Sequence, residues 1–277
     1  MSVTQSTIEE MVHIALREDV GDGDLTAQLI PTDAVSLANV ISREECVFCG
    51  MDWFEEVFRQ VDDEVFIEWQ VQDGDSIEAG ETICSLSGPS RSLLTGERTA
   101  LNFVQTLSAT STLASRYARA VAGTNAVVLD TRKTIPGLRA AQKYAVKCGG
   151  CQNHRMGLFD AILVKENHIL AAGNIQTAVE EARFHSPGYP VEIEVEGIAQ
   201  LEQAITAGVD RILLDNFTTE QICEAIKLSD GKIPLEASGG ITLQNIREYA
   251  ETGVDYISTG SLTKDIIAID LSMRFSM

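Results

Sequence analysis

The sequence predicts an α/β protein whose second half is a parallel barrel, and three observations carry the prediction. Between residues 126 and 257, short apolar strands alternate with helical stretches, the pattern of a parallel sheet covered by helices. Polar or glycine-rich residues then fall at the C-terminal end of each of six strands, where a barrel would bring them to one mouth. The alternating rhythm begins only after Gly123; the chain before it mixes helices with mostly longer strand-like stretches. A doubly wound sheet would gather functional groups only near its switch point, so the barrel is the better reading. It would be a short barrel, because the segment from Gly123 to Lys264 is well under the ~250 residues typical of eight strands.

The elements follow in order. Residues 6–17 read as a helix with Ile8, Met11, Val12, Ala15 and Leu16 on one face, broken by Gly21-Asp22-Gly23. Strands are expected near 36–42, 46–49, 64–71 and 80–86, with a helix at 51–60. Asp73-Gly74-Asp75 is a hairpin-type turn signal between the last two. The phrase Val71–Gly80 resembles the turns of biotinyl and lipoyl carrier domains, but no modifiable lysine stands at its tip. Residues 93–121 read as helix, broken at the small-residue run Ser108–Ser111. The six barrel strands are expected at 126–129, 161–164, 191–195, 211–214, 234–237 and 254–257. Helices at 174–184, 198–207, 219–228 and 242–251 separate the later ones.

The chain has 277 residues, of which 44% are hydrophobic and 22% charged, as in an ordinary globular protein. No run of eighteen apolar residues suggests a membrane span. The amphipathic, acidic start does not read as a signal peptide, which points to the cytoplasm. A net charge of −20 disfavours nucleic acid and anionic lipid as partners. Yet seven of the 21 Lys and Arg residues, Arg132, Lys133, Arg139, Lys143, Lys147, Arg155 and Lys165, lie in one short segment. Arg139, Lys143 and Lys147 recur every four residues and suit a helix face that is partly surface. The others suit a cationic pocket for a small polyanion. Of the six cysteines, Cys46/Cys49 and Cys148/Cys151 have C-x-x-C spacing, but about a hundred residues separate the pairs, too many for a ribbon-type zinc site. Free thiols are the expectation.

Two glycine-rich turns, Ser238-Gly239-Gly240-Ile241 and Thr259-Gly260-Ser261-Leu262, follow the last strands, and each is expected to open a helix. Glycine permits close backbone approach and helix starts attract phosphate. One such turn is weak evidence, but two at the late strand ends favour a phosphate site. Glu194 and Asp215 close the third and fourth strands. They either cap strands or face the cationic mouth, where they suit ribose hydroxyls, a magnesium ion held through water or substrate, and a developing sugar cation. Glu192 and Glu196 beside the first of them are expected on the solvent side. His154-Arg155 follows the flexible Gly149–Asn153 loop. A lone histidine is more often structural, but its cationic neighbours raise the prospect of anion contact.

The segments Gly96-Glu97-Arg98-Thr99-Ala100-Leu101-Asn102, Asp130-Thr131-Arg132-Lys133-Thr134-Ile135-Pro136-Gly137-Leu138-Arg139, Lys143-Tyr144-Ala145-Val146, Asn153-His154-Arg155, Lys165-Glu166-Asn167-His168 and Glu236-Ala237-Ser238-Gly239-Gly240-Ile241 closely resemble the quinolinate phosphoribosyltransferase family. The match runs in order from about residue 8 to about 265 and is most specific over 130–168. It implies an N-terminal α/β-sandwich domain, residues 1–110, followed by an incomplete parallel α/β barrel, residues 111–277, whose final helix returns to the first domain. It implies transfer of phosphoribose from phosphoribosyl pyrophosphate to quinolinate with loss of CO2, and a magnesium ion accompanying the pyrophosphate donor. It also implies a homodimer in which Arg98 is lent to the neighbouring subunit's site. Arg132, Arg155 and Lys165 resemble ligands of the pyridine carboxylates. Thr131 belongs to the same binding segment, and Lys133 and His154 resemble contacts of the pyrophosphate or dicarboxylate end. Lys133, Glu194 and Asp215 are the candidate catalytic residues, the two acids at the ribose and magnesium. Ser238, Gly239, Gly240 and Gly260 resemble the 5′-phosphate cradle. Cys151 stands where family members usually carry a small, Gly-like residue.

Three other readings compete. A related phosphoribosyltransferase-like protein associated with molybdenum transport shares fold and motifs, but the full cation set Arg98, Arg132, Arg155 and Lys165 favours quinolinate. A phosphate-binding barrel isomerase or synthase explains the glycine turns but not Thr131-Arg132-Lys133-Thr134. A carrier module lacks its lysine.

Overall fold

The computed structural model describes residues 3–276. In chain order the elements are α1 (Gln5–Val20), β1 (Val35–Ser42), β2 (Cys46–Val47), α2 (Met51–Val61), β3 (Phe66–Trp69), β4 (Ser76–Ile77), β5 (Thr82–Pro89), α3 (Ser90–Ala120), β6 (Val127–Leu129), α4 (Arg139–Cys148), β7 (Ile162–Val164), α5 (Glu166–Ala172), α6 (Ile175–His185), β8 (Val191–Val195), α7 (Ile198–Ala207), β9 (Arg211–Asp215), α8 (Thr219–Ser229), β10 (Leu235–Ser238), α9 (Ile246–Glu251), β11 (Tyr256–Ser258), α10 (Ser261–Lys264) and β12 (Leu271–Ser276). They form two compact units. The first holds the chain up to Ser115, Ile135–Gly150 and the residues from Asp265 onward. The second holds Arg116–Thr134 and Cys151–Lys264.

In the first unit an antiparallel sheet runs β12-β1-β5-β3, and β2 pairs with β4 beside it. Ile8, Val12 and Leu16 recur at four-residue spacing, so α1 buries one stripe. Trp53, Phe54, Val57 and Phe58 do the same for α2. Asp73 caps α2, its Oδ1 accepting from the Gly50 and Met51 amides at 2.8 and 3.2 Å. The Asp73-Gly74-Asp75 turn is thus not the tip of a simple hairpin. It leads into β4, while β3 and β5 pair with each other directly.

Two expectations about the elements of this unit fail for identifiable reasons, and one about a side chain fails as well. The helix from residue 93 is not broken at Ser108–Ser111; α3 is continuous over 31 residues. Its small hydroxyl residues dock against the backbone of β2 and the residues after it. Ser108 Oγ accepts from the Cys49 amide at 3.0 Å, Ser111 Oγ donates to the Val47 carbonyl at 2.5 Å, and Thr112 Oγ1 accepts from the Val47 amide at 2.8 Å. These hydroxyls satisfy buried backbone groups of another element, while Ser111 and Thr110 also donate back to the Ser108 and Thr106 carbonyls without breaking the helix. The final element is a strand, not a helix: Leu271 and Met273 are buried and alternate with Ser272 and Arg274, a period of two, and β12 pairs antiparallel with β1. Lys143, expected on a partly exposed helix face, is wholly buried in α4, whereas Lys147 is exposed.

In the second unit six strands run parallel in the order β6-β11-β10-β9-β8-β7. This is the cyclic order of a barrel, opened between its first and second strands, as the short length requires. At the opening Gln152 makes an isolated parallel bridge to Leu129. Alternation places Ile193, Val195, Ile212, Leu214, Ala237 and Ile257 on one face, all buried. Glu192, Glu194, Arg211, Asp215, Glu236, Ser238 and Tyr256 stand on the other face, the inner one.

Candidate functional site

The inner face of the barrel unit is built in two tiers, each set by strand register. Glu192 lies opposite Arg211 and Glu236 opposite Tyr256, forming the lower tier. Glu194 lies two residues beyond Glu192, Ser238 two beyond Glu236 and Asp215 four beyond Arg211, toward the strand ends, where Asp215 pairs with Ser238.

The lower tier is a buried charge network. His154 Nε2 lies 2.9 Å from Glu192 Oε2 and 3.5 Å from Glu236 Oε2. Arg211 Nη1 lies 3.1 Å from the same Glu236 oxygen, with its guanidinium 4.0 Å above the Tyr256 ring. Burial and the neighbouring Glu192 charge push the Glu236 carboxyl up to about 7. Burial acts upward on Glu192 too, but the His154 hydrogen bond and charge, with Arg211, hold it below its ordinary value. Glu192 is therefore the charged member of the pair and Glu236 the proton holder. For His154, burial opposes the charged ring while the Glu192 hydrogen bond and the two carboxylates outweigh it and raise its pKa. The Arg155 amide donates to His154 Nδ1 at 2.8 Å, which opposes a second ring proton and places the first at Nε2, toward Glu192.

Asp130, wholly buried after β6, organises the loop that carries this histidine. Its Oδ2 accepts from Asn153 Nδ2 at 2.6 Å and its Oδ1 from the His154 amide at 2.9 Å. Arg155 follows, half-buried, donating from Nη1 to the Ala161 carbonyl at 3.3 Å. Burial and the Arg132 charge lower its pKa, so the two guanidiniums share one neighbourhood. Thr131, Arg132 and Lys133 continue from β6. Lys133 is exposed, and the loop is held by Thr263 Oγ1 donating to its carbonyl at 2.8 Å. A Cβ on Gly260 would meet Lys133 Cδ at 2.9 Å and Thr131 Oγ1 at 3.4 Å, so the β11 turn lies directly against the Thr131–Lys133 loop.

At the ends of β7 and β8, Lys165 Nζ is ion-paired with the Glu194 carboxylate. Asp215 closes β9 and accepts from Asn216 Nδ2 at 2.8 Å. After β10, Gly239 and Gly240 have φ of +97° and +61°. A Cβ on Gly239 would lie 2.2 Å from Asn216 Oδ1, so this turn requires glycine twice over. The helix expected from residue 242 starts only at Ile246. Asn245 closes the intervening turn, accepting from the Thr242 amide at 2.8 Å and donating to the Gly240 carbonyl at 3.2 Å.

The second unit thus brings together Thr131, Arg132, Lys133, His154, Arg155, Lys165, Glu194, Asp215, Ser238, Gly239, Gly240 and Gly260. Arg98 belongs to the first unit, where it is exposed on α3 beside a cleft lined by Asp19, Asp24, Leu94 and Thr95. One expectation is corrected: Glu192 is not on the solvent side but 6% exposed on the inner face. A period of two puts it on the face of Glu194, and that signal was present in the sequence. Asp130, Arg211 and Glu236 also went unrecognised as site residues, because a strand-borne charge shows its partner only once the register is known.

Glu194 and Asp215 fit a magnesium site of the indirect kind. Both are oxygen donors at adjacent strand ends, but Glu194 already holds Lys165 and Asp215 accepts from Asn216. Mg2+ commonly keeps its waters and takes few protein carboxylates alongside substrate phosphates.

Residues 24–108 match the model of the quinolinate phosphoribosyl transferase N-terminal domain, and residues 110–274 match that of the C-terminal domain. A Bacillus subtilis protein named probable nicotinate-nucleotide pyrophosphorylase (carboxylating) is 40% identical over 98% of this chain and 94% of its own. A Nicotiana tabacum quinolinate phosphoribosyltransferase (decarboxylating) is 36% identical over 96% of this chain and 82% of its own. The solved nicotinate-nucleotide pyrophosphorylase from Francisella tularensis superposes with a TM-score of 0.97 at 46% identity, covering 99% of this chain and 98% of that one.

Proposed function

Because the chain belongs to the quinolinate phosphoribosyl transferase family, we propose that it transfers phosphoribose from phosphoribosyl pyrophosphate to quinolinate. The products are nicotinate mononucleotide, pyrophosphate and CO2. The observation that carries the proposal is the joint placement of four cations, two carboxylates and two glycine turns at the ends of one set of parallel strands.

Each group has a task in this reading. Arg132, Arg155 and Lys165 bind the two ring carboxylates, and Lys133 and Thr131 face the pyrophosphate. The Gly239-Gly240 and Gly260 turns, with Ser238, hold the 5′-phosphate by backbone N–H groups. The quinolinate nitrogen attacks C1 of the ribose as the C1–O bond to pyrophosphate breaks. Positive charge develops on the sugar, where Glu194 and Asp215 stabilise it. Alignment of two charged substrates accounts for much of the acceleration. The ring nitrogen is then quaternary, so the adjacent C–CO2 bond breaks with its electron pair stabilised beside that positive charge, and a proton takes the carboxylate's place. A bound Mg2+ would neutralise charge on the departing pyrophosphate.

The Lys165–Glu194 ion pair supports a coupling of the two substrates. A quinolinate carboxylate drawing on Lys165 releases Glu194 toward the sugar. His154 keeps its place at the pyrophosphate or dicarboxylate end in this reading, and with its nitrogens directed at Glu192 and the Arg155 amide it also sets the position of Arg155.

The active form in this proposal is a cytoplasmic homodimer in which Arg98 completes the partner subunit's dicarboxylate site. Among the described residues no helix is long and apolar enough to cross a membrane. The test is incubation with quinolinate and phosphoribosyl pyrophosphate, following CO2 and nicotinate mononucleotide. Absence of both products from folded protein supplied with Mg2+ overturns the reading.

A further inference from the structure

The sequence offers two C-x-x-C pairs, and the structure crosses them. Cys49 lies between β2 and α2, and Cys148 ends α4, both within the first unit. Their sulfurs and the Asp73 carboxylate all lie within 4.8 Å of one another. Of the other two members, Cys46 sits beside Ser42, 3.9 Å from its hydroxyl, and Cys151 belongs to the second unit. We propose that Cys49 and Cys148 are a dithiol that closes to a reversible disulfide when the protein meets a hydroperoxide.

The surroundings favour this chemistry over a metal ion. Three donors already occupy Asp73: the Gly50 and Met51 amides on Oδ1, and the Tyr144 hydroxyl on Oδ2 at 2.7 Å. Ligation through Oδ1 would compete with the α2 cap and ligation through Oδ2 with the Tyr144 hydroxyl, whereas the two sulfurs already face each other. The two thiols also differ as an attacking and a resolving thiol should. Cys49 is fully buried, whereas Cys148 is half-buried and open to a small oxidant. The hydrogen bond from the Cys49 thiol is the largest influence on Cys148 and lowers its pKa against the opposing effect of burial. Burial holds the Cys49 thiol well above its ordinary value.

The steps balance. The Cys148 thiolate attacks the outer peroxide oxygen, the O–O bond breaks, and sulfenic acid forms as water or an alcohol leaves. The Cys49 sulfur then attacks the Cys148 sulfur, and its proton departs with the sulfenic hydroxyl as water. Two thiols lose two electrons and two protons in total, and the hydroperoxide is reduced. An added thiol reverses the bond by exchange at sulfur.

The test is hydrogen peroxide treatment of the full chain, alkylation of remaining thiols, and mass spectrometry of non-reduced peptides. The expected result is one cross-link between the peptides bearing Cys49 and Cys148, lost on addition of dithiothreitol. It persists in Cys46→Ser and Cys151→Ser and is absent from Cys49→Ala and Cys148→Ser. Iodoacetamide labelling of the untreated wild-type protein, which needs no variant to fold, should modify Cys148 faster than Cys49. Cross-links within Cys46/Cys49 or Cys148/Cys151 would overturn the proposal. So would oxidation of Cys148 to sulfinic acid without a cross-link, or failure of both thiols to react.

Discussion

The His154 imidazole and the Glu192 carboxylate meet at 2.9 Å inside the barrel, with side chains 9% and 8% exposed. One partner sits on the loop after Cys151 and the other on β8, so the contact ties the loop bearing Arg155 to the sheet. Removing one member of a buried pair leaves the other without compensation, at a cost of about 3–5 kcal/mol. Glu192→Ala is expected to lose that order of stability in urea denaturation. It should also raise the KM for quinolinate more than that for phosphoribosyl pyrophosphate, because Arg155 loses its anchor. Glu192→Gln keeps an acceptor for Nε2–H and should be milder on both counts. Equal stability of Glu192→Ala and wild type would show that the contact holds nothing.

Glu236 gives a pH signature. Burial and the Glu192 charge raise its carboxyl from 4.5 to about 7, so the folded state binds a proton there that the unfolded state has released. Stability from this group is fully present below about pH 4.5 and is lost as pH rises toward 7. Glu236→Gln, neutral throughout, should lack that decline. The difference between variant and wild type should move in the variant's favour across this window by on the order of 1–3 kcal/mol. Parallel stability curves for the two proteins between pH 4.5 and 7 would refute the assignment.

These two residues also mark where sequence reading stops. The six barrel strands and the helices at 174–184, 198–207 and 219–228 were legible because apolar runs and helical periods are local signals, whereas α5 went unread. The strand-end residues Lys165, Glu194 and Asp215 were legible for the same reason. Glu192 was misplaced by neglecting the period of two that Glu194 already established. Glu236 had no visible role because its partners, His154 and Arg211, come from a loop and a neighbouring strand. The helix break expected at Ser108–Ser111 failed likewise: a run of hydroxyl residues looks like a breaker until β2 is seen accepting and donating beside it. The strand β12 was masked by the expectation of one more helix, although Leu271-Ser272-Met273-Arg274 alternates plainly.

The turn after β10 makes a steric prediction. Gly239 has φ +97°, and an added Cβ would fall 2.2 Å from Asn216 Oδ1 and 2.8 Å from the Asn216 amide nitrogen. Backbone atoms cannot swing away as a side chain can. Gly239→Ala should therefore cost about 1–3 kcal/mol in backbone strain and displace the N–H groups proposed to hold the 5′-phosphate. Calorimetry should show weakened binding of phosphoribosyl pyrophosphate with quinolinate affinity little changed. Equal weakening of both ligands would mean the turn supports the whole barrel mouth and not a phosphate cradle.

Glu194 and Asp215 should separate catalysis from binding. If both act on charge that appears only as the C1–O bond breaks, their loss lowers kcat and spares the ground state. Glu194→Ala and Asp215→Ala are each expected to reduce kcat by about 100-fold, the scale of a lost electrostatic contact at a developing charge. Quinolinate affinity should hold, and in Glu194→Ala it should even rise, since Lys165 no longer has a competing carboxylate. Loss of quinolinate binding by folded Glu194→Ala would place the residue on the ring and not the sugar.

Arg98 is the most exposed to test, because it stands in the other unit from every other proposed ligand. On α3 its neighbours Thr99, Ala100 and Leu101 are buried while Arg98 itself is exposed. The helix therefore presents this side chain outward and does not use it for packing. A solvated surface arginine would tolerate replacement by alanine within about 0.5 kcal/mol and without effect on turnover. The proposal that Arg98 completes the partner's dicarboxylate site predicts otherwise. A closed two-fold dimer makes the exchange reciprocal, each subunit giving one arginine and receiving one. Arg98→Ala and Lys133→Ala homodimers should then each be nearly inactive. A mixed dimer contains one site lacking both residues and one site with both intact, so co-refolding the two variants should restore partial activity. The check is an activity assay alongside separately tagged subunits that report how much mixed dimer has formed. If exchange is shown and activity does not return, Arg98 acts within its own chain or not at all.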